Sequence, residues 1–201
     1  TIEHQIGYYY VQEAASMIPP VVLEPQEGEI ILDMCASPGS KSTQLAQYLH
    51  NTGIIISNDL TTKRIAPLSI NLQRCGAYNS IITIMHGASF QRLNMEFDRI
   101  LVDAPCSGVG AARKSLKTFL MWNPQMVKRL SATQRALIES AYSKLKKNGI
   151  LVYSTCTLEP EENEGVVSFL LNNHPDASCE QIDLPLERGK PVMEFGDVQY
   201  N

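Results

Sequence analysis

Residues 30–41, IILDMCASPGSK, open as an apolar run, pass through a loop of small residues and lead into a helical stretch. A short apolar run ending at a turn reads as a buried strand. The small residues after it let a ligand approach the backbone, and a helix that begins there offers unpaired N–H groups. Outward from this stretch the same pattern repeats. Further apolar runs lie at Ile54–Asn58, Ile81–Met85, Ile100–Val102 and Ile150–Ser154. Helical stretches are expected near Lys41–His50, Lys63–Cys75, Pro124–Lys147 and Glu161–Leu171. Pro124 suits a first helical turn, and Gly53 and Gly149 stand where helices would end as C′ glycines. The alternation implies an α/β fold: a doubly wound, mostly parallel sheet with helices on both faces. Such sheets bind ligands at the carboxyl ends of their strands. Reactive and polar residues do recur there: Asp33 to Gly39, Asn58-Asp59, His86-Gly87, Asp103 to Cys106, and Ser154 to Cys156.

The 201 residues suit one domain, with residues 1–25 packing on it as an N-terminal segment. An apolar fraction of 44% supports a full core. No apolar run approaches the roughly 18–20 residues of a membrane span. The sequence begins at Thr1 without an initiator Met; no signal peptide is expected, and the chain is expected to be part of a longer protein, incomplete at its C-terminal end. Its five cysteines are scattered without a Cys-x-x-Cys pair, so neither a metal site nor a disulfide framework is expected. A reducing, cytoplasmic setting and a monomer fit best. The net charge is −4, but it is unevenly spread. Arg113 to Lys147 holds nine basic residues against the single acid Glu139, a net of +8, while Leu158 to Glu187 holds eight acids and no Lys or Arg. The basic stretch suits phosphates, or is a solvated face.

The loop Cys35, Ala36, Ser37, Pro38, Gly39, Ser40, Lys41 lacks both the GxxxxGK[ST] and the GxGxxG spacing of phosphate-binding turns. Asp59, at the end of the second strand, is placed to accept hydrogen bonds from two ribose hydroxyls. A ribose without a phosphate cradle points to S-adenosylmethionine rather than to NAD or ATP. The plainer alternative is a tight turn with Asp59 as a cap.

Cys106 follows the fourth strand in Asp103-Ala104-Pro105-Cys106, and Cys156 follows the fifth in Ser154-Thr155-Cys156. A lone cysteine is usually a small core residue; two at neighbouring strand ends point to chemistry. Carbon 5 of cytosine is a poor nucleophile. Thiolate attack on carbon 6 makes it enamine-like, and a carboxyl group at ring N3 stabilises the adduct. After methylation a base removes the carbon 5 proton and the thiolate leaves. Enzymes that methylate exocyclic amines need no thiol.

The strings DMCASPGSKSTQLA (33–46), ILVDAPCSGVG (100–110) and ILVYSTCTLEPEENE (150–164) resemble the signature motifs of the RsmB/Nop2/Sun family of RNA cytosine-5 methyltransferases. GYYYVQEAASMIPP (7–20) resembles the segment that precedes that family's catalytic fold. The resemblance spans roughly Gly7 to Leu171. It implies S-adenosylmethionine contacts from Cys35 through Lys41, from Asp59 and Arg64, and from Asp103. It implies Cys156 as nucleophile, Cys106 as the thiol that assists product release, and Lys41 and Asp103 as residues reaching the target base. The implied partner is RNA: a transfer RNA first, with ribosomal RNA open, and the cytosine unstacked to admit the thiolate. Two departures stand out. Relatives carry an acid after the third strand to contact adenine where this chain has His86-Gly87, so His86 or a backbone N–H would substitute. The family fold also continues with further strands, which the segment after Glu187 should approach. Three rivals remain: a DNA cytosine-5 methyltransferase, which would use Cys106 as nucleophile, a non-catalytic RNA-binding module, and a redox enzyme of similar fold. Tyr8, Tyr9 and Tyr10 are expected to pack the N-terminal segment onto the sheet, Trp122 to plug the core, and Cys75 and Cys179 to be structural. Glu159, Glu161, Glu162 and Glu164 are expected to favour a helix N-terminus.

Overall fold

A computed structural model describes residues 1–114 and 116–184, and the backbone of the two short strands Glu194–Phe195 and Val198–Gln199. The chain divides into two compact units. The first comprises 1–103 and 140–154, the second 104–139 and 155–201.

The first unit is built on five strands: β1 (Ile30–Asp33), β2 (Ile54–Asp59), β3 (Ser80–Ile84), β4 (Phe97–Asp103) and β5 (Leu145–Ser154). They form one sheet in the order β3-β2-β1-β4-β5, and every pairing is parallel. This is the doubly wound arrangement that the alternation of runs implies, with its switch point between β1 and β4. Parallel strands covered on both faces read as continuous apolar runs. Accordingly Ile31, Leu32, Ile55, Ile56, Ile100, Leu101 and Val102 are all buried. Helices α1 (Ile2–Gln5), α2 (Ala14–Leu23), α3 (Ser40–Tyr48) and α4 (Thr62–Arg74) also belong to this unit. Leu23 of α2, Leu45 and Ala46 of α3, and Leu68 and Leu72 of α4 join Ile31, Ile55 and Leu101 in one apolar cluster.

Helix α5 (Lys117–Met121), most of α6 (Pro124–Tyr142), α7 (Glu164–Asn173) and the antiparallel ribbon of β6 (Glu194–Phe195) and β7 (Val198–Gln199) fall in the second unit. Pro124 opens α6, and the Asn123 side chain accepts from Met126 N at 2.9 Å to cap it. Apart from the ribbon backbone, the segment after Glu187 lies outside the described residues.

Several expectations need correction. The third long helix ends at Tyr142, not Lys147, because residues from Leu145 find backbone partners along β4, with Phe97 opposite Leu145. Tertiary pairing overrides a helical local pattern here. Gly149 is therefore a strand residue, and the left-handed position is Asn148, at φ 63°. Gly53 is not the C′ residue either: α3 ends at Tyr48 and His50 takes the left-handed position at φ 47°, while Gly53, at φ +63° just before β2, stands where a Cβ would lie 2.2 Å from the Glu29 carbonyl oxygen. The last helix begins at Glu164 rather than Glu161. Trp122 is not a core plug; it is 39% exposed and donates from Nε1 to Glu159 Oε1 at 2.8 Å. Tyr8 and Tyr9 are exposed, the Tyr9 side chain meeting His4 and Thr1 of its own segment, while Tyr10 packs under the Arg74 guanidinium of α4. Of the two cysteines read as structural, Cys179 is exposed and Cys75 half-buried.

Candidate active site

In the first unit the loop after β1 turns sharply into α3. Gly39 takes φ +107° and caps the helix; a Cβ there would stand 3.1 Å from the Leu68 side chain. Ser37, Asp59 and Arg64 form a closed ring. Ser37 N donates to Asp59 Oδ2 at 3.0 Å and Ser37 Oγ to the Arg64 carbonyl at 2.7 Å. Arg64 returns bonds to the Ser37 carbonyl at 3.0 Å and to Asp59 Oδ1 at 2.8 Å. Asp59 is only 4% exposed and also accepts from Leu60 N. Sequence places Asp59 beside a ribose; in the structure its oxygens serve the protein's own donors. Asn71 Nδ2 holds the Pro38 carbonyl at 2.9 Å.

Asn58, beside Asp59, is buried and uses its whole amide. Its Nδ2 donates to the carbonyls of Met34 and Met85, each at 3.0 Å. Its Oδ1 accepts from Thr83 Oγ1 at 3.0 Å and Met85 N at 3.1 Å. One side chain thus ties the ends of β1, β2 and β3.

At the switch point a pocket of about 220 Å³, its open side included, is lined by Asp33, Cys35, Ala36, Ser37, Pro38, Ser40, Lys41 and Asp103. Lys41 Nζ donates to Asp103 Oδ2 at 2.7 Å, and Ser154 Oγ donates to Asp103 Oδ1 at 2.8 Å. Asp33 is fully buried; Oδ2 accepts from Ser42 Oγ at 2.6 Å while Oδ1 has no hydrogen-bond partner. Burial, partly offset by the Ser42 bond, pushes its carboxyl up to about 7. Cys35 is pushed up to about 12, by burial first and then by the nearby Asp33, Asp59 and Asp103 carboxylates, so it keeps its proton and is no nucleophile. His86 is exposed on the loop after β3. It caps the 3₁₀ turn Gly87–Arg92, its Nδ1 accepting from Ala88 N at 3.2 Å, and it does not line the pocket.

The second unit carries the thiols. Cys106 Sγ and Cys156 Sγ are 3.2 Å apart, and Cys156 N donates to Cys106 Sγ at 3.3 Å. Cys156 is exposed and Cys106 half-buried. The hydrogen bond that the Cys106 thiol shares with Cys156, together with burial, drives Cys106 well above the ordinary thiol range. Cys156, the exposed member of the pair, is the thiol open to attack an electrophile.

Around the pair lies a polar network that sequence reasoning missed. Ser107 Oγ and Thr157 Oγ1 are 2.7 Å apart, and both residues are buried. Glu162, with no exposed surface, accepts at Oε2 from Ser107 N at 3.0 Å and from Gln134 Nε2 at 2.7 Å. Gln134 also donates to the Pro105 carbonyl at 2.9 Å. Asn163 accepts from Thr155 Oγ1 at 2.6 Å and donates to the carbonyls of Thr157 at 3.3 Å and Glu159 at 3.0 Å. Glu162 thus has a role other than favouring a helix N-terminus. Its signal in the sequence is faint: an acid six residues after Cys156, among other acids.

The basic stretch is divided. Lys144 donates to the Leu93 carbonyl at 2.6 Å and Lys146 pairs with Asp98 at 2.7 Å, both in the first unit. Lys117, Lys128 and Arg129 are exposed in the second. Among the described residues no group of three or more His, Cys, Asp or Glu could hold a metal ion, and no helix is long and apolar enough to cross a membrane.

The family model for "16S rRNA methyltransferase RsmB/F" matches residues 20–196, most of the chain. The chain belongs to this family. Over its full length this RsmB/F-family chain is 49% identical to the tRNA (cytosine(49)-C(5))-methyltransferase of Pyrococcus abyssi. It is 44% identical, over 88% of its length, to ribosomal RNA small subunit methyltransferase F of Klebsiella pneumoniae. It spans 64% of the first relative and 38% of the second. Among solved structures it resembles NSun6 from Pyrococcus horikoshii with SFG, at a TM-score of 0.80 and 38% identity, covering 85% of this chain and 44% of that one. A methyltransferase homolog protein from the same organism gives a TM-score of 0.77 at 43% identity, covering 86% and 54%.

Proposed function

We propose that the protein methylates carbon 5 of a cytosine in RNA, using S-adenosylmethionine and a covalent bond between Cys156 Sγ and carbon 6. The observation that carries this reading is the thiol pair: two sulfurs 3.2 Å apart at neighbouring strand ends, one exposed and one half-buried. The named relatives support the reaction, and SFG, an S-adenosylmethionine analogue, in the NSun6 structure supports the cofactor.

The pocket in the first unit fits that cofactor chemically. Its ammonium finds an acceptor in the Asp33 oxygen that lacks a partner and in Asp103; its carboxylate finds Lys41 and the amino end of α3. Cys35, Ala36, Ser37, Pro38, Gly39 and Ser40 offer a close backbone approach. Asp59 reaches the ribose if Arg64, which is 55% exposed, turns aside. His86, through ring Nε2 or its loop backbone, is the candidate for the adenine. When bound, the cofactor supplies an electrophilic methyl group.

The chain's own residues supply the rest. Cys156 attacks carbon 6, and the ring electrons move toward carbon 5. The family resemblance assigns Lys41 and Asp103 to the target base, and their ion pair carries a donor able to stabilise charge on a ring nitrogen. Once Cys156 is bonded to carbon 6 it no longer shares a hydrogen bond with Cys106. With that hydrogen bond gone, Cys106 gives its own proton to solvent and, as the thiolate, takes the carbon 5 proton. The carbon–sulfur bond breaks and the Cys156 thiolate departs.

In this reading the RNA is a transfer RNA, supported by the tRNA methyltransferase matching the whole chain at 49% identity. A ribosomal target is the second reading, favoured by the family model and the small subunit relatives. A reducing, cytoplasmic setting is supported by five free cysteines. Bisulfite sequencing of RNA from cells with and without the full-length protein tests both. A protected cytosine in transfer RNA supports the first target, one in small subunit ribosomal RNA the second, and none in either overturns the function.

A further inference from the structure

Cys106 and Cys156 sit on loops, yet their separation is held by buried polar side chains. Each thiol is followed in the chain by one half of a hydroxyl pair: Ser107 after Cys106, Thr157 after Cys156, with 2.7 Å between the oxygens. Each thiol's two chain neighbours are also gripped from behind. Gln134 holds the Pro105 carbonyl while Glu162 holds Ser107 N, and Gln134 and Glu162 bond to each other. Asn163 holds Thr155 Oγ1 and the Thr157 carbonyl. Burying a carboxylate, an amide and two hydroxyls is costly, the more so because Gln134 Oε1 has no hydrogen-bond partner, and apolar packing would hold a loop more cheaply. This set instead fixes direction, as hydrogen bonds do.

We propose that the Ser107–Thr157 bond, backed by Glu162, Gln134 and Asn163, is a positioning clamp that sets the distance between the two thiols and so governs release of the product rather than attack on the base. The inference rests on the function proposed above. Attack requires only an exposed Cys156 and tolerates a loosened Cys106. Release requires Cys106 to take a proton from a carbon fixed to Cys156, so it depends on the spacing of the two loops. Displacements of about 1 Å at such a step cost on the order of a hundredfold in rate.

The test uses the full-length protein and its RNA with Thr157→Val, which keeps shape and loses the hydroxyl, and Thr157→Ser, which keeps the hydroxyl. Thr157→Val should form the protein–RNA adduct within about twofold of the wild-type rate, accumulate it on a denaturing gel, and lose roughly 10- to 100-fold in turnover. Thr157→Ser should restore turnover. A second readout needs no RNA. Diamide takes two electrons and two protons from the thiol pair, becoming its hydrazine as a sulfur–sulfur bond forms. The rate of that closure, followed by intact mass, should fall in Thr157→Val and recover in Thr157→Ser. If Thr157→Val fails to fold, Ser107→Ala removes the same bond from the other side and carries the same expectations. Equal partition between adduct and product in all variants overturns the clamp, as does a Ser variant no better than Val. If neither the wild type nor Cys106→Ala forms an adduct or methylates RNA, the proposed function fails, and the diamide rates still decide whether the clamp sets the spacing.

Discussion

The two units hold their reactive groups by opposite means. In the first, Asp33, Asp59 and Asp103 stand at the ends of parallel strands, where backbone ladders fix them, and Arg64 and Lys41 answer the charges of Asp59 and Asp103. In the second, Cys106 and Cys156 stand on loops outside any ladder, and side-chain bonds from Gln134, Glu162, Asn163, Ser107 and Thr157 take the ladder's place. A strand end places a group to within the register of a sheet and leaves its loop free to receive a ligand. A side-chain network places two loops against each other and depends on every member being present. The first arrangement suits binding, the second suits a step with tight distance demands.

This contrast can be broken at its strongest point first. Cys156→Ala should abolish both methylation and the covalent RNA complex, whereas Cys106→Ala should stop turnover and leave a persistent slow band on a denaturing gel. A band with Cys156→Ala and none with Cys106→Ala would exchange the roles. In the first unit the buried Asp33 carries a pH signature. Its folded-state pKa, raised to about 7 from an ordinary 3.8, means the folded chain holds this proton more tightly than the unfolded one. The resulting stability is fully present below about pH 4 and is lost as pH rises through 7. Asp33→Asn escapes that loss, so its stability relative to wild type should grow between pH 4 and 8, to at most about 4 kcal/mol. Urea unfolding at both pH values measures it, and a pH-independent gap would show that the carboxyl titrates normally. Next, Asp59→Ala should weaken S-adenosylmethionine by about 1.5–3 kcal/mol, the scale of lost charge-assisted hydrogen bonds. Unchanged affinity by calorimetry would leave Asp59 with only its structural ring. The smallest effect is expected at the exposed Lys117 and Lys128. Changing both to Glu should weaken all RNAs alike and flatten the log–log salt dependence by roughly 1.5. No change in that slope would make them a solvated face.

How much of this was legible follows from the same contrast. Strand ends announce themselves because a buried parallel strand is an apolar run and its last polar residue marks the edge; Asp59, Asp103 and the 35–41 loop were readable on that ground. The cysteines were readable as residue types two and three positions beyond such edges. Glu162 and Gln134 were not, because their partners lie 55 and 29 residues away in the chain and nothing local distinguishes a buried Glu from the acids around it. Lys144 to Lys147 misled because a basic run before Asn148-Gly149 has the composition of a helix end, while its structure is decided by β4. Asp59 does end the second strand, but the Arg64 and Ser37 donors that occupy its oxygens could be found only by folding the chain.

The Asn58 amide ties three strand ends through bonds to Met34, Met85 and Thr83. Because it leads directly into Asp59, the loops after β1, β2 and β3 share a common anchor. A ligand that touches any one of them meets neighbours already ordered, so the entropy of arranging them was lost at folding and does not recur at binding. A shorter or aliphatic side chain at 58 would leave those loops individually intact but mutually independent. Affinity would then fall through an unfavourable entropy, with each direct contact still present.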